Sequence, residues 1–247
     1  MNRLRKSLDK SNMHAAILGF PQQISDSFSI MKNWSAQNHY KNIQQILVLG
    51  MGGSAIGGDV VRVLIQSECT IPMIVNRSYN IPNWVDKNTL VIASSYSGNT
   101  EETLSALRKC IDVNAQILSI TTGGELLKIS NENNFDSIIL PKGLQPRAAL
   151  GVSASILLLA LQKLQIVNNS LIEDLHHSIN LLSDLGKELS NCDDENPARI
   201  LANEIHSMCP IIYGSEDLTW VAALRFRGQL EENAKMLAFH HHIPEQN

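Results

Sequence analysis

No stretch of this sequence stays apolar for long. The longest purely apolar run, Ile156 to Leu161, is closed by Gln162 and Lys163, whereas a membrane-spanning helix needs about 20 such residues. The opening "MNRLRKSLDKSN" is basic with no apolar segment behind it, so a secretory signal is not expected and a cytoplasmic location is. Basic blocks are also missing. With 20 Lys and Arg against 24 Asp and Glu, the formal net charge is −4, which leaves no electrostatic footprint for nucleic acid or an anionic membrane. The four cysteines, Cys69, Cys110, Cys192 and Cys209, show no CxxC spacing, and that fits reduced thiols better than a disulfide frame or a zinc site.

What the chain does have is enough apolar material, 44% of 247 residues, for one large domain or two ordinary ones. From Ile43 on, short β-rich apolar runs alternate with helical patterns, the signature of a parallel α/β sheet. Strands are expected at Ile46 to Leu49, Met73 to Asn76, Leu90 to Ser94, Ile117 to Thr121 and Ser137 to Leu140. Five strands in sequence predict one doubly wound domain. Helices are expected at Ala55 to Gln66, Thr100 to Cys110 and Arg147 to Leu164, the first two opening straight after a strand and a loop of small residues. From Asn168 the pattern is helical, with a break at "SNCDDENPAR". Then "CPIIYGS" reads as a strand, followed by one long helix, about Leu218 to Lys235, and a short apolar "MLAF".

The chemistry is expected in the loops, since ligands of such sheets bind at the carboxyl ends of the strands. In "LGMGGSAIGGD", Leu49 to Asp59, Gly50, Gly52 and Ala55 satisfy the dinucleotide pattern GxGxxA. The second strand, however, runs into Asn76 and Arg77, where an acid would bind a ribose hydroxyl. NAD lacks its partner, and only NADP stays open through Arg77. A purely structural reading is a turn whose Ser54 caps the helix. The third strand runs into a second loop of this kind, "ASSYSGNTEET", where Ser95, Ser97 and Thr100 supply hydroxyls beside the N–H groups of a helix start. That combination suits the oxygens of a phosphate monoester. The competing account is capping, by Ser97 or by an Asn99–Glu102 box; it leaves Ser95 unexplained.

Two further groups attract chemistry. In "RGQLEENAKML", Glu231 has Arg227 four positions before it and Lys235 four after, and so reads as a paired surface carboxylate. Glu232 has Gly228 and Met236 at those positions, with open space on the Gly228 side. In "FHHHIPEQN" three histidines invite a metal, but consecutive residues of an extended segment alternate faces and cannot aim at one ion. No metal site is expected.

The blocks "GMGGSAIGGD", "SSYSGNTEET", "QPRAALG" and "ENAK…PEQN" resemble the signature of the bifunctional phosphoglucose/phosphomannose isomerase family, which is built from sugar isomerase (SIS) domains, over about Gly50 to the last residue. The resemblance implies an SIS-type five-stranded parallel sheet flanked by helices, plus the start of a second SIS domain. It divides the chain into an N-terminal helical segment (1–24), a first SIS domain (25–167), and connecting helices with an incomplete second SIS domain (168–247). It implies that Ser95, Ser97 and Thr100 hold the phosphate, that Gly53 and Ser54 lie along the sugar, that Arg147 stabilises an enediolate, and that Glu232 is the base. An arginine in the first turn of a helix opposes the dipole, which argues against a structural role for Arg147. The expected activity is aldose–ketose isomerisation of glucose 6-phosphate or mannose 6-phosphate to fructose 6-phosphate, without metal or other cofactor, in a homodimer. In the family a histidine follows "PE.N" and a lysine lies further on; both fall beyond Asn247, so the match covers about three quarters of the pattern. Two rivals stand beside this expectation. One is a non-catalytic SIS phosphosugar sensor; the other, an SIS enzyme of the glucosamine 6-phosphate synthase type, needs an amidotransferase domain that is not in this sequence.

Overall fold

Side chains of a strand alternate between its two faces, so a strand that is apolar throughout needs cover on both. The computed structural model, which describes residues 9–191 and 193–244, meets that need with one all-parallel sheet. Its strands are β1 (Gln45–Leu49), β2 (Met73–Asn76), β3 (Thr89–Ser95), β4 (Gln116–Thr121) and β5 (Asp136–Ile139), in the order β2-β1-β3-β4-β5. The helices of this part are α1 (Met13–Leu18), α2 (Phe20–Lys32), α3 (Gly52–Ile65), α4 (Glu101–Asp112), α5 (Gly124–Glu132) and α6 (Leu150–Lys163). Ile46, Val48, Leu90, Ile92, Leu118 and Ile120 join Met31 of α2, Val61 of α3 and Ile156 of α6 in one core. Leu47, Leu49, Val91 and Ala93 point the other way, to Leu107 of α4 and Leu126 of α5. This is the expected doubly wound architecture.

The apolar run Ile156 to Leu161 now has its explanation. It lies in α6, which packs on both α2 and α3 and is buried nearly all round, the placement an all-apolar helix demands. Among the described residues no helix is long and apolar enough to cross a membrane. The segment between α2 and β1 is pinned to the sheet edge by Asp136, whose carboxylate accepts from the backbone N–H of Gln37 (2.9 Å) and Asn38 (3.0 Å) and from the Tyr40 hydroxyl (3.0 Å). Burial and that carboxylate push the Tyr40 phenol well above its ordinary pKa. Cys69, Cys110 and Cys209 are free thiols, and burial pushes Cys110 up to about 12; Cys192 lies outside the described residues.

A second compact unit begins at Asn180, the first ending at Ile179. The helix α7 (Ser170–Ser190) crosses that division, and Asn196 then caps α8 (Pro197–Ile205), its side-chain oxygen accepting from Ala198 N at 2.8 Å. The expected break at "SNCDDENPAR" is therefore a cap followed by proline at the first helical position. β6 (Ile211–Ser215) and β7 (Phe239–Ile243) pair in parallel around α9 (Trp220–Gln229), one βαβ element.

Three elements go beyond or differ from the sequence reading. α5 was not foreseen, because it is short and opens on Gly123 and Gly124, which read only as a turn. The long helix does not run to Lys235: α9 ends at Gln229 and continues as a π-helical turn, Leu230–Ala234. Beyond "MLAF" the histidine segment, read as extended, pairs as a strand over Phe239–Ile243.

α3 lies close on the sheet because Gly58 has no side chain: a Cβ there would stand 3.1 Å from methyls of both Val48 and Val75. Gly58→Val should destabilise the fold by about 3 kcal/mol, the upper end of ordinary overpacking costs. Urea denaturation followed by circular dichroism measures this, and an unchanged midpoint would mean that the contact is slack.

Candidate active site

Strand order sets the place. The chain leaves β1 for β2 on one side and reaches β3 on the other, so the topological switch point lies between β1 and β3, where ligands of open α/β sheets bind. β1 and β3 are paired from Gln45–Thr89 to Leu49–Ala93. Their carboxyl ends therefore open side by side into the two small-residue loops.

The first loop, Gly50 to Ser54, turns directly into α3, with Gly52 at φ +49°. No side chain caps α3, so Ser54 does not have the capping role open to it. Gly53 determines what sits above. A Cβ on it would run into the carbonyl oxygen of Pro146 and stand 3.0 Å from its carbon. The segment "QPRAALG" is thus seated on the first loop, backbone on backbone, and it brings the Arg147 backbone beside Gly53. Arg147 is half-buried in a 3-10 turn, Pro146–Ala148. It is not in the first turn of an α-helix, since α6 starts at Leu150, and the helix-dipole argument for it fails.

The second loop joins Ser95, buried at the end of β3, to Thr100 at the start of α4. The hydroxyls of Ser95 and Thr100 are 2.8 Å apart, and Gly98 N donates to Ser95 Oγ at 3.1 Å. Ser97 Oγ accepts from Asn99 N at 3.2 Å. Neither capping expectation holds: Thr100 is the N-cap residue and no side chain caps α4. Asn99 instead accepts from Glu125 N at 3.0 Å, at the start of α5. The loop interlocks with its neighbour there, because Gly98, at φ +72°, lies so close to the Gly123 carbonyl that no Cβ would fit. The Ser95 and Thr100 hydroxyls thus meet at the positive end of α4, with Ser97 exposed in the same loop. Sequence reasoning missed Asn99 and Gly123 as parts of this arrangement, since the partners come from the next strand's loop.

The dinucleotide alternative loses its footing at β2. Arg77 forms an ion pair with the buried Asp59 of α3, and Asn76 donates to Asn80 O at 2.9 Å. Both residues serve the frame of the sheet.

Glu232 belongs to the second unit. It is exposed on the π-helical turn, and Lys235 Nζ donates to its backbone carbonyl at 2.8 Å. Glu231 pairs with Arg227 at 3.5 Å, as its spacing predicts. The sequence reading missed Arg225, two helical turns before Glu232: burial lowers its pKa and the Glu232 carboxylate opposes that shift, so the two charges interact. The signal was the i, i+7 spacing, which returns to the same helix face. The histidines alternate along β7. His242 meets Glu216 at 2.7 Å and the Trp220 ring at 5.3 Å, whereas His241 is paired with Tyr213 in the register. Burial and the nearby Arg227 lower the His240 pKa. Among the described residues no three His, Cys, Asp or Glu are placed to share a metal ion; Glu245, Gln246 and Asn247, the end of the fourth signature block, lie outside them.

The SIS domain family matches residues 39–161, and the bacterial phospho-glucose isomerase C-terminal SIS domain matches residues 194–247. The bifunctional phosphoglucose/phosphomannose isomerase of Caldicellulosiruptor bescii is 41% identical over 95% of this chain and 70% of its own length. The chain belongs to the bifunctional phosphoglucose/phosphomannose isomerase family. The enzyme of that name from Thermoplasma acidophilum is 40% identical over 82% of this chain, which spans 59% of it. In fold the chain is similar to the C-terminal domain of glucosamine-fructose-6-phosphate aminotransferase from Francisella tularensis, with a TM-score of 0.65 at 16% identity over 93% of this chain and 70% of that one.

If the second loop holds a phosphate monoester, replacing Ser97 and Thr100 together by Ala should weaken inorganic phosphate binding by at least tenfold, since each hydrogen bond to a charged group is worth about 1.5–3 kcal/mol. Calorimetry on the folded double variant measures it. An unchanged dissociation constant would remove the phosphate from this loop.

Proposed function

We propose that this chain is an aldose–ketose isomerase that interconverts glucose 6-phosphate or mannose 6-phosphate with fructose 6-phosphate. The observation that carries the reading is the pairing of two hydroxyls in contact at an uncapped helix start with an arginine turn seated on the first loop, at one switch point. The names of its relatives agree with it.

In this reading Ser95, Ser97 and Thr100 hold the substrate phosphate, and Gly53 and Ser54 lie along the sugar. The Glu232 carboxylate removes the proton from C2 of the open-chain aldose. The electron pair of that bond forms the C1–C2 double bond, and the C1 carbonyl oxygen becomes an enediolate oxygen. Arg147 stabilises that oxygen by its fixed positive charge. Glu232, now protonated, returns the proton to C1; the O2 hydroxyl proton passes to O1, and the C2 carbonyl of fructose 6-phosphate remains. No metal and no redox cofactor enters these steps. The same reading makes the protein a cytoplasmic homodimer, as the family resemblance implies.

Transfer of deuterium from solvent to C2 of glucose 6-phosphate, followed by NMR, separates proton abstraction from isomerisation. Glu232→Gln should keep phosphosugar affinity and lose both exchange and turnover by about 10²–10⁴, the usual worth of a general base. Exchange at the parent's rate in that variant would exclude Glu232 as the base. A parent chain that binds phosphosugar and exchanges no proton would favour a sensor.

A further inference from the structure

The turn that carries Arg147 is held from below by a residue far away in sequence. Gln23 lies in α2 and is only 7% exposed. Its side-chain N–H donates to the carbonyl of Ala148, the residue after Arg147, at 2.8 Å. Its side-chain oxygen accepts from Val152 N in the first turn of α6 at 3.3 Å. One amide thus closes both the exit of the 3-10 turn and the entrance of the helix. The site is shaped for it: a Cβ at Gly151 would come within 2.9 Å of Gln23 Oε1 and 3.0 Å of its Cβ. No apolar residue could satisfy both backbone groups, and a buried unpaired donor or acceptor is costly enough to move the backbone instead.

We propose that Gln23 is the positioning residue for Arg147. It fixes the turn at Ala148 while Gly53 receives it at Pro146, so the backbone on both sides of Arg147 is held and the guanidinium has one anchor. This rests on the reading of Arg147 as the group that faces the enediolate. α2 lies outside residues 39–161 that match the SIS domain, so the inference gives the N-terminal helices a part in the site that the SIS domain alone does not supply.

The test uses two probes. 5-Phosphoarabinonate carries a planar carboxylate where the enediolate would form, and inorganic phosphate reports the second loop alone. Calorimetry gives both dissociation constants for Gln23→Met, Arg147→Ala and the double variant. Gln23→Met should weaken the analogue about tenfold, inside the ~100-fold that an ångström of misplacement costs, with phosphate binding unchanged and no further loss in the Arg147→Ala background. Gln23→Glu supplies a rescue: the protonated carboxyl can donate to Ala148 and accept from Val152, so at low pH its ratio to the parent should return to one. As pH rises the carboxyl ionises, the donor is lost, and the ratio should fall to that of the Met variant. If Gln23→Met does not fold, the pH dependence of Gln23→Glu decides alone, and a flat ratio overturns the proposal. It is also overturned if Arg147→Ala weakens the analogue and Gln23→Met does not, if both probes weaken equally, or if the loss persists without Arg147; the isomerase reading survives those outcomes. If Arg147→Ala itself leaves the analogue unaffected, the role of Arg147 in that reading fails, and this inference fails with it.

Discussion

The carbonyl of Pro146 rests on Gly53 with no side chain between them. The elements around the first loop are arranged about that contact. α3 can begin directly beneath the turn only because its second residue is glycine, and it can stay near the sheet only because Gly58 meets Val48 and Val75. α6 must start at Leu150, after the turn, and so it lies against α3 and α2. Backbone-on-backbone contacts of this kind tolerate little relaxation, since a carbonyl cannot rotate away as a side chain can. The cost is conformational: glycines give up more freedom on folding than other residues. The return is a charged side chain whose anchor is backbone rather than a flexible neighbour.

The second loop obeys a different constraint. A helix start normally satisfies its N–H groups with a side-chain cap, which stabilises the helix by about 1 kcal/mol. α4 forgoes this, although Ser97 and Asn99 are at hand. Ser97 bonds within the loop, and Asn99 is turned to α5. The dipole is answered instead by Glu101 and Glu102 in the first turn, and Glu102 reaches the Tyr79 hydroxyl rather than the loop. The loop therefore keeps its shape through its neighbour, by the interlock of Gly98 with Gly123, while no side chain caps the helix start. Local stability is given up where an anion would restore it.

The sheet was legible because fully buried parallel strands are short apolar runs bounded by turns, and all five predicted runs agree with the observed strands to within one residue at each end. The two loops were legible because small residues between a strand and a helix have few other uses. The chemistry beyond them was hidden for identifiable reasons. Gln23 looks like any polar residue of an N-terminal helix, and only the fold, 125 positions later, supplies its carbonyl partner. Asn99 carried a plausible local cap, so its long-range role was masked by a sound short-range rule. The histidine segment read as extended, but its pairing was hidden because its parallel partner lies across a whole helix.

The helix dipole acts at one of this molecule's charged turns and not at another. Applied to Arg147 it presumes an α-helix that has not yet started, and it has no force in a 3-10 turn of three residues. At the end of α9 it has force. There Glu231 and Glu232 lie at the negative end of the helix, where carboxylates are disfavoured. Each is answered by an arginine from an earlier turn, Glu231 by Arg227 four residues back and Glu232 by Arg225 seven back. The π-helical turn sets the two acids apart, since it leaves Glu231 in its ion pair and carries Glu232 to an exposed position. A purely structural end would favour Lys or Arg at this place and would close in regular α-helical geometry. Two half-buried arginines thus offset the local rules that the two carboxylates break together.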